Sequence, residues 1–244
     1  MTALAADTDG VVSAGLDFTL VVRGPDLTPR ATLPGPSSRH ATTIALSATQ
    51  VSAFFAPPNP SVGLWNRQTH AGVSVGRGHR GFGTGLSFAP GGSLVSSDSN
   101  GQIQVWTKNL QQSMLIQGRA KGFENFVRAV QAHDQSLLYA NRMRQIRRID
   151  LASRKTTHLF MNRQGSGDQV LVAEVGEHVC VVDSFGGITV FSSSDRTVID
   201  SMNVAEVPWS AVAASSTFAH VFLTSKKSSV IVETPFAHRA SHRP

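Results

Sequence analysis

Nine histidines, at positions 40, 70, 79, 133, 158, 178, 220, 238 and 242, are the side chains here with the widest chemical range. A neutral imidazole ligates metals, and one titrating near neutrality serves as a general base. Their spacing gives them little to do together. No HxH or HxxxH pair falls within a regular segment, and His238 and His242, four apart, sit in a Pro-ended tail, so no metal site is expected. No Ser-His-Asp order stands out. The stretch GRGHRGFGTG (76–85) is Gly-rich, but it joins two strand-like segments, whereas a phosphate loop needs a helix N-terminus. Cys180 is the single cysteine, in the strand-like run HVCVV, and reads as a buried, unreactive thiol. Glu124 and Glu174 are the ionisable exceptions among apolar segments such as GLSFAP and TTIALSA. The expectation is therefore no catalytic residue, no cofactor, no metal and no small-molecule substrate. What remains is charge: 22 Lys and Arg against 16 Asp and Glu, a net +6 that favours acidic partners.

A repeat sets where these residues stand. A short β-rich signature, clearest in LSFAPGGSLVSSDSNGQIQVW (86–106), recurs with its last residue at Arg23, Trp65, Trp106, Ile149, Phe191 and Glu233. The intervals are 42, 41, 43, 42 and 42 residues. Each unit divides into four strand-like segments, a to d, separated by turn residues such as Pro90-Gly91 and Asn100-Gly101. That period marks an all-β propeller of about six four-stranded blades. The blades fall at approximately 1–36, 37–77, 78–119, 120–163, 164–205 and 206–236, making one domain with a polar tail at 237–244. In the last unit the segment expected to form strand d, AHRASHRP, is polar, so that blade is expected to be incomplete or the ring open. Val230, Ile231, Val232, Glu233 and Thr234 then form a candidate open edge for a partner strand. The N-terminal MTALAADTDG lacks the basic start and apolar run of a signal peptide, and no apolar stretch approaches the roughly 18–20 residues that span a bilayer. An intracellular, soluble protein without membrane insertion is expected, in cytoplasm or nucleus before an organelle.

The third unit resembles the WD-repeat (Trp-Asp repeat) family. Gly78-His79 matches its Gly-His pair, Pro90-Gly91 its turn, Ser96 its strand-b hydroxyl and Trp106 its strand-c tryptophan. The resemblance implies a hydrogen-bonded tetrad of His79, Ser96, Trp106 and, in the turn, Asn100 where the family carries Asp. Trp65 and His40 keep part of the pattern, and the other units lack the Trp, so the chain is similar to a divergent member. Residues 141–157 are similar to an NHL repeat, a rival propeller family.

In such blades the d–a and b–c connections emerge at one end of the ring, the top, and the a–b and c–d connections at the other. Register places Arg39, Arg77, Arg80, Arg119, Lys121, Arg142, Arg144, Arg163, Lys226 and Lys227 at the top, against Asp17, Asp98, Glu124, Asp168 and Glu206. The candidate partner-binding face is Arg77, Arg80, Arg119, Lys121, Arg142, Arg144, Lys226 and Lys227. The resemblance implies a non-catalytic scaffold for protein–protein interaction, a subunit of a larger assembly, ribonucleoproteins included. The alternative is a propeller that binds RNA or another polyanion through the basic top, with Phe123 and Phe126 as candidate stacking rings; a propeller enzyme ranks last.

Overall fold

Strands covered on both faces read as unbroken apolar runs, whereas half-exposed strands alternate. Both patterns occur in this chain, in a fixed order that repeats. The structure is a computed structural model that describes residues 3–35, 39–117, 127–133, 135–163, 169–203, 211–214, 220–224 and 229–233. Five successive antiparallel sheets have four strands each: β1 (Ala3–Asp7), β2 (Gly10–Ala14), β3 (Leu20–Arg23), β4 (Pro29–Leu33); β5 (Ala41–Leu46), β6 (Gln50–Phe55), β7 (Ser61–Asn66), β8 (Gly72–Arg77); β9 (Gly83–Phe88), β10 (Leu94–Asp98), β11 (Gln102–Trp106), β12 (Gln112–Gln117); β13 (Val127–Ala132), β14 (Ser136–Asn141), β15 (Gln145–Asp150), β16 (Thr156–Met161); and β17 (Gln169–Val175), β18 (His178–Asp183), β19 (Gly187–Ser192), β20 (Val198–Asn203). A sixth sheet holds β21 (Ala211–Ala214), β22 (His220–Thr224) and β23 (Ser229–Glu233). The expectation of six four-stranded blades is thus corrected: five sheets have four strands, and among the described residues the sixth has three.

The first strands of successive blades lie side by side, and β21 neighbours both β17 and β1, so these strands follow one another around a ring. Second and third strands are sandwiched between adjacent blades. β6, β14 and β18 are buried from their second residue to their last, while the outer β20 is exposed along most of its length. The core is accordingly a series of layers between blades. One joins blades 1 and 2 through Leu20, Leu33, Val51, Phe55 and Trp65. Another joins blades 2 and 3 through Phe54, Leu64, Leu94 and Trp106, and a third joins blades 4 and 5 through Leu138, Ile146, Phe160 and Phe191. Phe160 and Phe191 stack with centroids 4.0 Å apart, near the separation that offset aromatic pairs prefer.

Polar ties cross the same seams. The Arg67 guanidinium, between β7 and β8, grips the Asp7 carboxylate at the end of β1 with both nitrogens and also donates to the Ser47 carbonyl. Ser87 Oγ accepts from the Ala132 N–H of the next blade at 2.9 Å, and Gln131 Oε1 accepts from the Glu174 N–H one blade further on. Small residues matter where rings meet the sheet. A Cβ at Gly76 would lie 2.8 Å from Trp106 Cζ3, against a ring that is itself fully buried. Gly76→Ala should therefore cost about 1–3 kcal/mol through overpacking, read as a lower urea midpoint with an unchanged m-value.

Candidate functional site

Side chains two apart on a strand share a face. Ser96 and Asp98 on β10 are such a pair, and Trp106 on β11 meets the same face. The turn between β8 and β9 lays His79 across them. Its Nδ1 is 3.1 Å from Asp98 Oδ2 and its Nε2 is 2.6 Å from Ser96 Oγ. Trp106 Nε1–H donates to Ser96 Oγ at 2.7 Å. Ser96 Oγ thus joins the indole N–H to the imidazole, and the imidazole joins Ser96 to the Asp98 carboxylate. The other Asp98 contacts are backbone. Oδ2 accepts from Arg80 and Gly81 N–H, and Oδ1 from Asn100 and Gln102 N–H at 2.9 and 3.0 Å.

The acid of the tetrad is therefore Asp98, which corrects the assignment to Asn100. Asn100 is exposed in the turn and contributes a backbone N–H to Asp98, because β10 ends at Asp98, on the face of Ser96, and position 100 already belongs to the turn. Serine, histidine and aspartate stand here in the order of a hydrolase relay. Ser96 and Asp98 are fully buried, His79 nearly so, and the serine oxygen already serves an indole, so no substrate reaches it. The constellation is a structural clamp.

Asp98 also shows how the top loops are shaped. Asp98, Asn141 and Asp183 each close their second strand, eight residues before Trp106, Ile149 and Phe191. Each side chain accepts from the turn it precedes: Asp183 from Phe185 and Gly187 N–H, Asn141 from Gln145 N–H at 2.9 Å. Each carbonyl accepts from the residue three further on, Gly101, Arg144 and Gly186, all of which are left-handed with φ of 81°, 59° and 83°. Glycine suits that conformation; arginine does not. Arg142 and Arg144 are thus carried on an Asx-capped turn of the same build as its neighbours. The sequence signal for these turns is Asp or Asn eight residues before the repeat anchor, present in three of the six units.

Among the candidate basic residues, Arg77, Arg80, Arg142 and Arg163 are exposed at the top and Arg144 is half-buried. Asn162 N–H donates to the Arg144 carbonyl and Gln145 pairs with Met161, so 142–144 and 161–163 are neighbours on blade 4. Arg39 is half-buried, with Nη1 on the Asn59 carbonyl. Arg119, Lys121, Lys226 and Lys227 lie outside the described residues, as do Glu124, Asp168, Glu206, Phe123, Phe126, His238 and His242. At this end the described exposed carboxylate is Asp17, since Asp98 and Asp183 are buried in their turns. Phe82 and Met143 add apolar surface there, 56% and 50% exposed.

Other charged side chains are engaged within the fold. Arg148 pairs with Glu174 on the next blade, His133 Nε2 lies 3.6 Å from the same carboxylate, and Arg147 donates to Gln145 Oε1. Cys180 is buried, and desolvation pushes its thiol up to about 12. Among the described residues no group of three or more His, Cys, Asp or Glu could hold a metal, and no helix is long and apolar enough to cross a membrane. The described part of the candidate open edge is Val230, Ile231, Val232 and Glu233, all on β23; Thr234 lies outside it.

No family model and no curated protein matches the chain. Solved structures do. "Structure of U3-55K" aligns over 98% of this chain and 78% of its own, at 18% identity with a TM-score of 0.76. The RRP9 WD40 repeats align over 98% and 77%, at 18% identity and 0.76. The WD40 β-propeller domain of Doa1 aligns over 96% and 78%, at 11% identity and 0.78. At such identities the likeness is one of fold: this chain has the fold of WD40 β-propellers.

Burial works to raise the Asp98 carboxyl, but hydrogen bonds from His79, Gln102 and Arg80 outweigh it and hold the group below the usual carboxylate range. The same balance, with Arg67 as the main donor, depresses Asp7. A depressed carboxylate contributes stability that is present above its unfolded value, near 3.8, and lost as pH falls through its folded value. Acid unfolding should therefore steepen below about pH 4, and Asp98→Asn should flatten that limb while lowering stability at pH 7. Asp98→Ala should cost about 2–4 kcal/mol and Asn100→Ala under about 0.5 kcal/mol, measured by urea unfolding.

Proposed function

We propose that this propeller is a non-catalytic interaction scaffold that docks an acidic partner protein, within a multi-subunit assembly, on its top end. The observation that carries the reading is the coincidence there of cationic and apolar surface. Exposed Arg77, Arg80, Arg142 and Arg163 stand at the same end as exposed Phe82 and Met143. Partner surfaces combine apolar anchors, which supply affinity, with charges that steer and select. By sequence register Arg119, Lys121, Lys226 and Lys227 belong to connections at that end and add to its charge.

A second reading, RNA or another polyanion, draws support from Phe82, an exposed ring two residues from exposed Arg80 and able to stack on a base. Salt separates the two. Affinity capture at two salt concentrations, with protein and RNA both identified, should retain a protein partner with modest loss; a loss of a hundredfold or more between 50 and 200 mM salt, roughly what several phosphate contacts give, would favour the polyanion.

The turn geometry supplies a cleaner variant than charge reversal alone. Arg144→Gly relieves a left-handed arginine, so stability should stay within about 1 kcal/mol of the parent. Arg142→Glu combined with Arg144→Gly should weaken partner binding about tenfold or more by calorimetry, with Tm little changed. Unchanged affinity would remove the basic end from the account.

A further inference from the structure

Five blades place their outer strand by one rule. The connection from third to fourth strand has five residues in each: 24–28, 67–71, 107–111, 151–155 and 193–197. The residue three before the repeat anchor faces, across that pair, a residue ten or eleven beyond the anchor. Leu20 faces Leu33, Val62 faces Gly76, Ile103 faces Ile116, Ile146 faces Phe160, and Ile188 faces Met202. Leu33 and Phe160 are buried, and at Gly76 the Trp106 ring takes the space a side chain would need. The position is an apolar one.

In the sixth sheet the anchor is Glu233 and the matching third-strand residue is Val230. β23 pairs with β22 on one side, and no described strand pairs with the other. The rule would bring Arg243 or Pro244, from the stretch RASHRP (239–244), opposite Val230. Arginine at a position that blades 1, 2 and 4 bury would strand a desolvated charge. Proline has no N–H to offer a strand. β23 itself reads SVIVE, three consecutive β-branched residues with high strand preference, and such an edge is a template for pairing when nothing blunts it.

We infer that the outer edge of β23 accepts a strand donated by a partner protein, antiparallel to β23, with an apolar residue aligned on Val230. Main-chain hydrogen bonds supply the attachment, and the aligned apolar side chain supplies selection against polar strands such as 239–244. The site lies on the rim of the ring and does not depend on the basic end, so either can fail alone.

The test uses the full chain and a peptide copy of its own blade-4 outer strand, residues 154–162 (RKTTHLFMN), which carries Phe160 at the matching position. The peptide should slow hydrogen exchange of the 229–233 amides at least tenfold, and the same peptide with Phe160→Asp should not. Removing residues 239–244 should leave that exchange and Tm unchanged. Faster exchange or a lower Tm on removal would show that the chain's own segment fills the edge and overturn the inference. So would concentration-dependent protection with dimer formation by ultracentrifugation, which would make a second copy the occupant. Absence of protection by the Phe-bearing peptide at millimolar concentration would also overturn it.

Discussion

A four-stranded blade has two apolar faces and no means of covering either by itself. Val51 and Phe54 of β6, Leu137 and Leu138 of β14 and Val179 and Cys180 of β18 alternate outward from both faces of their sheets and reach complete burial only because another blade lies on each side. Every other feature follows from that need. The period of about 42 residues is the length of chain required to make one sheet and start the next. The inner strands form the ring, the second and third strands carry the apolar layers, and the outer strand is free to be polar. Packing thus fixes the blades rigidly and leaves the connections at the two ends free to vary, which is where recognition residues can sit without disturbing the core.

The connections are shaped by a second, polar device. Asp98, Asn141 and Asp183 close the turn at the top of their blades with the same bonds from the same positions. Blade 3 extends this into a network by adding His79, Ser96 and Trp106; blades 4 and 5 keep the capped turn with Ile149 and Phe191 in place of the indole. What these blades share is therefore the turn, and the tetrad is one elaboration of it. Blade 4 uses its copy to hold Arg142 and Arg144 at the surface, accepting an arginine in a conformation that its neighbours give to glycine. Backbone strain of that kind persists where surrounding bonds over-determine it.

Spacing made the architecture legible, because each blade repeats the same burial problem and hence the same apolar runs. The end of the ring at which Arg77, Arg80, Arg142 and Arg144 emerge was legible for the same reason: antiparallel strands alternate their exits. The acid of the tetrad was not. Matching the third unit to a family pattern pointed to Asn100, whereas β10 ends at Asp98 and leaves Asn100 in the turn. The pairing of Arg148 with Glu174 was not legible either, because it joins two blades across 26 residues, a proximity that no local pattern encodes. Among the described residues the last sheet has three strands, and the register that singles out Val230 as a position for an apolar neighbour emerges only when five complete blades are compared.

The central claim is that Asx-capped turns hold the cationic connections in place instead of leaving them as loose loops. Native-state hydrogen exchange of the Gln145 amide, whose N–H is bound by Asn141 Oδ1 just beyond Arg142 and Arg144, tests it most directly. Protection comparable to that of amides within β14, lost on Asn141→Ala, is the predicted result. Exchange at the rate of an unstructured peptide would mean that the arginines are not presented by the fold, and the account of the top end as a built surface would be wrong.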